Sequence, residues 1–236
     1  MTGSLVSPAT RQRVRDLATP IATALGRLGL SPNALTLIGF VGTCVAAFAA
    51  ANQWWLASGV LVLAFGIFDL FDGALARATG QASKLGAFLD STFDRAGEGI
   101  VYIGIAVGCL AANFAFGAIV AATAMTASFM VSYTRAKAES LGFSAGSGLA
   151  NIGLAPREIR LAILSIGLIW TGLWPPLVTP ERCSGAASGV QTCTDAVSAH
   201  PLGANVLDLT LGLITVLATL TTIQRILHVR AQSREG

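Results

Sequence analysis

The stretch Asp69-Leu-Phe-Asp72-Gly73-Ala-Leu-Ala76-Arg77 is followed by eight residues and then by Gly86, Asp90 and Asp94. It puts four carboxylates into a chain that is otherwise strongly apolar. If the two flanking segments are helices, Asp69 and Asp72 are three residues apart and Asp90 and Asp94 are four apart, so each pair projects from one helical face. Carboxylates this close repel one another and are costly to bury, and divalent cations offset both costs. The stretch therefore predicts two helices that share a metal site suited to phosphate chemistry.

The composition indicates that much of the chain lies in lipid. Of its 236 residues, 53% are hydrophobic and 11% are charged, and the mean hydropathy is +0.68. A soluble domain carries about 25% charged residues. Apolar runs of about 17 to 25 residues recur, each long enough to cross a bilayer core of about 30 Å as a helix. Because no alternating strand pattern occurs, we predict an all-α integral membrane bundle.

We predict six membrane-spanning helices. The second continues past the bilayer through the aspartate stretch to about residue 78, and the third starts near Gly86, before its own span begins. Ser31 and Pro32 supply a helix start. The polar loop 79–85 separates the second and third helices. The predicted spans cover residues 33–51, 56–68, 97–112, 115–133, 156–174 and 204–224.

An amphipathic basic helix is predicted before the first span. Between residues 8 and 29, arginines accompany an apolar stripe at spacings of three and four, a pattern typical of a helix lying on an anionic membrane surface. A solvated N-terminal tail is the alternative. The expected organisation is a juxtamembrane helix, residues 1–30, and a six-span domain, residues 31–236. The stripe consists of Val14, Leu17, Ile21, Leu25 and Leu28.

The lysine and arginine residues orient the predicted bundle. Six spans place both termini on one side, and fourteen of the fifteen positive residues fall on that side, with Arg182 opposite. The positive-inside rule therefore predicts a multi-pass plasma-membrane protein whose termini and aspartates are cytoplasmic. The outer loop contains Cys183 and Cys193, which either form a disulfide or stay as thiols. Cys44 and Cys109 are interpreted as small apolar residues within spans.

The pattern Asp69-x2-Asp72-Gly73-x2-Ala76-Arg77-x8-Gly86-x3-Asp90-x3-Asp94 resembles the complete signature of the CDP-alcohol phosphotransferases at all eight positions. The six-span layout, with the signature across the second and third helices, is similar too. The resemblance implies transfer of a phospho-alcohol group from a CDP-linked lipid, such as CDP-diacylglycerol, to the hydroxyl of a small polar acceptor, with release of CMP. It also implies a homodimer in the lipid bilayer, and no nucleic-acid partner is expected.

The resemblance implies a role for each residue of the signature. Asp69, Asp72 and Asp90 would hold the metals, usually two Mg²⁺ or Mn²⁺ ions. Asp94 would contact a metal as well and act as general base on the acceptor hydroxyl. These roles agree with the chemistry, because phosphoryl-type transfer needs charge neutralisation and in-line positioning more than covalent help. The CDP site would be lined by Gly73, Ala76, Arg77 and Gly86.

Polar and basic residues at the cytoplasmic ends of the last three predicted spans are candidates for binding the acceptor. They resemble the phosphatidylinositol-phosphate synthase branch of the family, in which a serine and basic residues bind the phosphate of inositol phosphate. Several cations at one membrane face suit an anionic acceptor. The alternatives are that Lys and Arg serve topology alone there, or that the pocket takes glycerol 3-phosphate. The expected acceptor residues are Ser132, Arg135, Arg157, Arg160 and Arg225.

Two other function classes compete with this metal-dependent, phospholipid-synthesising transferase. A cation transporter also buries carboxylates in a six-span bundle, but it predicts polar residues deep in several spans, whereas the acids here stop at one face. A non-catalytic membrane scaffold has no need of the signature. The sequence therefore favours the transferase.

Four residues outside the signature are interpreted more simply. Gly104 and Gly108 are one helical turn apart in the third span, which favours close helix packing. Asp208, near the outer end of the sixth span, is expected to be an interfacial polar residue or a helix cap. Glu98 continues the face of Asp90 and Asp94 by another turn, so it either pairs with a basic residue or shapes the acceptor pocket.

Overall fold

The part of the chain that the structure describes is helical apart from its turns, which confirms the predicted all-α class. The computed structural model describes residues 20–143, 153–174 and 201–234. Cys183 and Cys193, whose pairing the sequence leaves open, lie outside these residues. A short helix, α1, covers residues 20–27. The longer helices are α2 (Pro32–Ala51), α3 (Trp55–Thr79), α4 (Lys84–Ala111), α5 (Ala115–Ser140), α6 (Arg157–Gly172) and α7 (Pro201–Gln232).

The ends of the helices follow local sequence signals. Ser31 caps α2 by accepting a backbone N–H at 3.2 Å, and Pro32 stands in the first turn, where its missing N–H costs nothing. Helix α3 ends at Gly80, whose φ of 67° lies in the left-handed region that glycine adopts without strain. Ser83 caps α4 by accepting the N–H of Gly86 at 3.0 Å. The predicted turn between α3 and α4 is therefore confirmed.

The six long helices form a closed ring. Its order is α2, α3, α6, α7, α5 and α4, with α4 returning to α2. The largest buried cluster draws side chains from all six helices, so burial of apolar and small residues links the ring around one core. Representative members are Ala46, Val62, Ile105, Ala121, Leu164 and Leu211.

Two glycines let α2 and α4 approach closely. A Cβ at Gly104 would lie 2.3 Å from the carbonyl oxygen of Ala47, and a Cβ at Gly108 would lie 2.3 Å from that of Ala50. Backbone atoms cannot turn aside as a flexible side chain does, so this approach requires residues without a side chain. The predicted packing role of both glycines is confirmed.

Four of the described helices, α2, α3, α5 and α7, are long and apolar enough to cross a membrane. The prediction of a helical membrane protein is therefore confirmed. By length and hydropathy, however, only four of the six predicted spans are recognised among the described helices. Helix α6 has only 16 residues, about 24 Å of helix at 1.5 Å per residue. The first fifteen residues of α4 are too polar, because they include Lys84, Asp90, Asp94, Arg95 and Glu98.

The short helix α1 packs on the bundle with only part of its apolar stripe. Ala22 is fully buried, and Leu25 packs against the cluster that Ala22 forms with Leu35 of α2 and Leu75 of α3. Ile21 and Leu28 are 50% and 77% exposed. Of the described stripe residues, Leu25 therefore packs against α2 and α3, while Ile21 and Leu28 are left open. Residues 8–19 of the predicted amphipathic helix lie outside the described residues.

Candidate active site

A cavity of about 250 Å³ opens between the first turns of α2, the end of α3 and the start of α4. The turn at residues 80–83 reverses the chain, so the two halves of the aspartate stretch face each other across this space. Six of the eight positions expected to bind metal or nucleotide line it. They are Asp72, Gly73, Ala76, Arg77, Gly86 and Asp90.

The other two signature aspartates are not among the described residues that line the cavity. Asp69 belongs to α3, and its side chain is not among those that the structure describes. Asp94 follows Asp90 by one turn of α4, and its carboxylate faces α6. Its Oδ1 lies 3.1 Å from Nη1 of Arg157, and its Oδ2 lies 3.5 Å from Nη1 of Arg95. Asp94 is therefore placed at the contact between α4 and α6.

Helix α2 contributes two polar residues that sequence reasoning missed. Thr36 Oγ1 donates a hydrogen bond of 2.6 Å to Oδ2 of Asp72, which is only 5% exposed. Asn33 lines the same cavity, and its Oδ1 would lie 3.2 Å from a Cβ at Gly86, so glycine at that position preserves the space. The only signal in the sequence is that two polar residues three apart open an otherwise apolar helix.

Glu98 and Arg160 form an ion pair one helical turn deeper than the contact between Asp94 and Arg157. Arg160 Nε donates to Oε1 of Glu98 at 2.9 Å and Nη2 donates to Oε2 at 2.8 Å. Both side chains are 1% exposed. Of the two interpretations of Glu98, pairing with a basic residue is confirmed.

Arg160 differs from what the sequence predicts of an acceptor ligand. Besides the two bonds to Glu98, its Nη1 donates to the carbonyl oxygen of Ala155 at 2.9 Å. Three donors of the guanidinium are thus bonded within the protein, and the group lies inside the bundle. The spacing to Arg157 places both arginines near one face of α6, but it does not reveal that Arg160 is enclosed.

The remaining expected acceptor residues lie on α5 and α7. Arg225 is 4% exposed and donates to the carbonyl oxygen of Val131. It lies within electrostatic range of Arg135 and Arg160. Arg135 is more exposed and pairs with a glutamate one turn further along α5 at 2.8 Å, and Ser132 is half-buried on the same helix. The structure therefore brings several cations together where α5, α6 and α7 meet.

The donors at the cavity fit a divalent cation. Asp72 and Asp90 supply carboxylate oxygens, the ligands that Mg²⁺ and Mn²⁺ prefer, and Thr36 orients one of them. Among the described side chains, which leave out Asp69, no three His, Cys, Asp or Glu residues are gathered as a metal site. Of the expected metal ligands, the structure thus describes two carboxylates at the cavity, those of Asp72 and Asp90.

The chain is similar to known proteins over most of its length. Residues 29–194 match the family model of CDP-alcohol phosphatidyltransferase. An archaetidylinositol phosphate synthase from Pyrococcus horikoshii is 38% identical over 164 residues, which are 69% of this chain and 82% of that protein.

Two crystal structures of phosphatidylinositol phosphate synthase from Mycobacterium tuberculosis have a similar fold at 27% identity. The structure with CDP-DAG bound has a TM-score of 0.68 and covers 91% of this chain and 94% of its own. The structure with manganese and citrate has a TM-score of 0.67 and covers 90% of this chain and 88% of its own. By sequence and by fold, the chain belongs to the CDP-alcohol phosphatidyltransferase family.

Proposed function

We propose that this protein transfers a phosphatidyl group from CDP-diacylglycerol to a hydroxyl of inositol phosphate and releases CMP. One observation carries the proposal: a single cavity gathers Asp72, Asp90 and all four positions expected to bind CDP. The relatives named for the synthesis of an inositol phosphate lipid support the acceptor. The Mycobacterium tuberculosis structure with CDP-DAG supports the donor.

The cavity takes the CDP part of the donor. Gly73, Ala76 and Gly86 leave room for the nucleotide beside the backbone of α3 and α4. Arg77 is exposed at the same cavity, where its guanidinium attracts the pyrophosphate. The open side of the cavity thus combines space with positive charge, as a nucleotide diphosphate requires.

Asp69, Asp72 and Asp90 would hold Mg²⁺ or Mn²⁺, and Asp94 would add a further oxygen ligand. The neighbour that contains manganese supports this ligand chemistry. When bound, the ions neutralise the pyrophosphate and polarise its phosphorus for in-line displacement. Thr36 fixes the direction of the Asp72 carboxylate through its hydrogen bond of 2.6 Å.

Asp94 acts as general base, and Arg157 brings the acceptor to it. The contact of 3.1 Å between them places a guanidinium beside the base, where the phosphate of an acceptor binds by charge-assisted hydrogen bonds. A small polyol phosphate held there has a hydroxyl within reach of Asp94. The carboxylate takes the hydroxyl proton as the oxygen attacks the phosphatidyl phosphorus, and CMP leaves.

The rest of the acceptor site lies where α5 meets α7 and consists of Ser132, Arg135 and Arg225. The combined charge of the two arginines favours a phosphorylated acceptor over a neutral one. A second donor is favoured by one observation, because the Pyrococcus horikoshii relative is named for an archaetidyl product. CDP-archaeol is therefore the competing donor, with the same acceptor.

We also propose the orientation of the protein in the plasma membrane. The domain, residues 31–236, crosses the membrane six times and follows an interfacial helix in residues 1–30. Both termini and the aspartate end of the bundle lie in the cytoplasm. This orientation agrees with the location of fourteen of the fifteen positive residues on one side. A cysteine introduced at Gln81 should react with an impermeant maleimide only when the cytoplasmic face is open. The homodimer stays a prediction of the resemblance.

The proposed activity is tested with purified protein, labelled CDP-diacylglycerol or CDP-archaeol, and a set of acceptors. Inositol phosphate should give product and CMP in the presence of Mn²⁺ or Mg²⁺, and chelation should abolish both. Glycerol 3-phosphate, inositol and serine are the comparison acceptors. Preference for a neutral acceptor would contradict the basic pocket, and preference for glycerol 3-phosphate would reassign the product to phosphatidylglycerophosphate.

The variant Thr36→Val should raise the Mn²⁺ concentration needed for half-maximal activity by roughly 10- to 100-fold, the usual cost of removing a residue that orients a metal ligand. Valine keeps the shape of threonine but leaves Asp72 without its 2.6 Å donor. Thr43→Val is the matched control, since that hydroxyl, on the same helix, donates to the carbonyl oxygen of Gly39. Equal Mn²⁺ titrations of the two variants would contradict the role of Thr36.

A further inference from the structure

Two ionic contacts are stacked between α4 and α6. The outer one joins Asp94 to Arg157, whose side chains are 16% and 24% exposed. The inner one joins Glu98 to Arg160, with both side chains 1% exposed. The acids are four residues apart on α4 and the arginines three apart on α6, so the two pairs form one seam of side chains between helices that are not neighbours in the ring. The inner contact is out of reach of a soluble acceptor, while the outer one borders the site.

The segment before α6 is bonded to two helices. The N–H groups of Leu154 and Ala155 both donate to Oγ1 of Thr221 on α7, at 3.1 and 3.0 Å. The Thr221 hydroxyl itself donates to the carbonyl oxygen of Leu217 at 2.8 Å. The carbonyl oxygen of Ala155 accepts from Arg160 at 2.9 Å. Ala155 is thus held on both sides, two residues before Arg157.

Thr221 also fits this segment by shape. Its Cγ2 lies 2.2 Å from the position that a Cβ would take at Gly153, and the φ of Gly153 is +127°. That φ favours glycine, and the missing side chain makes room for the threonine methyl. Thr221 is fully buried, so neither water nor a ligand replaces its bonds to the segment.

These contacts form one continuous chain of hydrogen bonds. It runs from Glu98 on α4 through Arg160 on α6 and Ala155 in the segment to Thr221 on α7. Helix α6 has no side-chain cap at Pro156, and this chain ties the start of the helix to α4 and α7. Arg157 is the first residue of that helix, and its position beside Asp94 follows from it.

We propose that Glu98, Arg160 and Thr221 are positioning residues that hold Arg157 against Asp94, and that Arg160 does not bind the acceptor itself. The inference deepens the proposed function and rests on it for the nature of the acceptor. Bidentate ion pairs have a fixed geometry, and a buried pair that loses one partner leaves a costly charge. Arg160 is therefore committed to the seam, and Arg157 alone of the two presents its guanidinium beside the base.

The first test compares Thr221→Val with Thr221→Ser and Thr215→Val. Valine removes the acceptor of two amides, serine keeps it, and Thr215 on the same helix bonds only Leu211 in its own helix by the described contacts. Thr221→Val should increase hydrogen exchange at Leu154 and Ala155 and raise the KM for inositol phosphate about tenfold, as expected for unsatisfied buried donors. The kcat and the KM for the CDP-linked donor should stay near the wild-type values, and Thr221→Ser should restore the acceptor KM.

The second test uses the sign of the effect of Glu98→Gln. If Arg160 were an acceptor ligand, weakening its pair with Glu98 would release the guanidinium and lower the acceptor KM. As a positioning residue, Arg160 loses its anchor, so the acceptor KM should rise about tenfold, the scale of a lost charged hydrogen bond. A lower or unchanged KM overturns the proposal.

Two further outcomes also overturn it. One is increased exchange in Thr221→Val with an unchanged acceptor KM, which would mean that the segment does not set the acceptor site. The other is an equal loss in kcat and in both KM values, which would mean general destabilisation. The exchange measurement needs no turnover, so it is independent of the acceptor. If wild-type protein used a different phosphorylated polyol, the proposed function would fail, and the KM comparison would be made with that polyol.

Discussion

The variant Asp94→Asn should lose roughly 100- to 10,000-fold in kcat, the range expected when a positioned general base is removed. Asparagine keeps the size of aspartate and still reaches Arg157, which lies 3.1 Å from Oδ1, but its amide does not accept the hydroxyl proton. Because the shape is preserved, thermal stability should change little. The measurement is CMP release at saturating donor, acceptor and Mn²⁺, with protein shown to be folded.

Glu158→Gln is the matched control for that variant. Glu158 is exposed on the first turn of α6, next to Arg157, so the control removes a carboxylate at the same end of the bundle without touching Asp94. It should retain activity close to wild type. If Asp94→Asn also stayed within about tenfold of wild type, Asp94 would not be the base, since that loss is smaller than the usual contribution of one.

The variant Gly104→Ala should destabilise the protein by about 1–3 kcal/mol, the usual cost of overpacking a core. The added Cβ would lie 2.3 Å from the carbonyl oxygen of Ala47 and 2.9 Å from its Cα. These are backbone atoms, so α2 and α4 have to move apart. We expect a fall in melting temperature of roughly 2–12 °C for a protein of this size, measured in detergent at a fixed lipid ratio.

Gly212→Ala gives the control for this packing prediction. Gly212 is in helix α7 and no atom lies within 4 Å of its added Cβ, so alanine there should be neutral or slightly stabilising because it favours the helix. Gly104→Ala should also reduce activity, since Thr36 on α2 and Asp90 on α4 face the same cavity. Equal melting temperatures for the two variants would contradict the close contact between α2 and α4.

Most of the helices could be predicted because their signals are local. Ser31 and Pro32 mark the start of α2, and Gly80 and Ser83 mark the turn between α3 and α4. The aspartate stretch also predicted that its two halves face each other, because its spacings are helical and only a short turn separates them, whereas the residues of the CDP site were implied by the family resemblance alone. Periodicity and capping act within a few residues, so they are visible in the sequence.

The contacts that the sequence did not predict join residues far apart in the chain. Thr36 and Asp72 are 36 residues apart, and Thr221 is 66 residues from Ala155, so no periodicity relates them. Arg157 and Arg160 look equivalent in the sequence as basic residues at one membrane face. Each one pairs with a carboxylate of α4, and only the packed helices show that the pair with Glu98 is the enclosed one.

The span count illustrates a different limit. Hydropathy identifies α2, α3, α5 and α7 clearly, because these helices keep their charged residues near their ends or carry few of them. Helix α4 combines an apolar half with a polar half that carries Asp90 and Asp94. These site residues lower the hydropathy by which a membrane span is recognised. In α4, the same positions therefore serve the site and lower the hydropathy of the span.

The order of helices in the ring has a consequence for biosynthesis. The chain is made from its N-terminus, and α3 and α4 are both neighbours of α2, so the nucleotide cavity can assemble as soon as α4 is complete. Helices α6 and α7 then have to enter between α3 and α5, which are already in place. A nascent chain stalled before residue 157 would thus hold a finished donor half with an open flank in the bilayer.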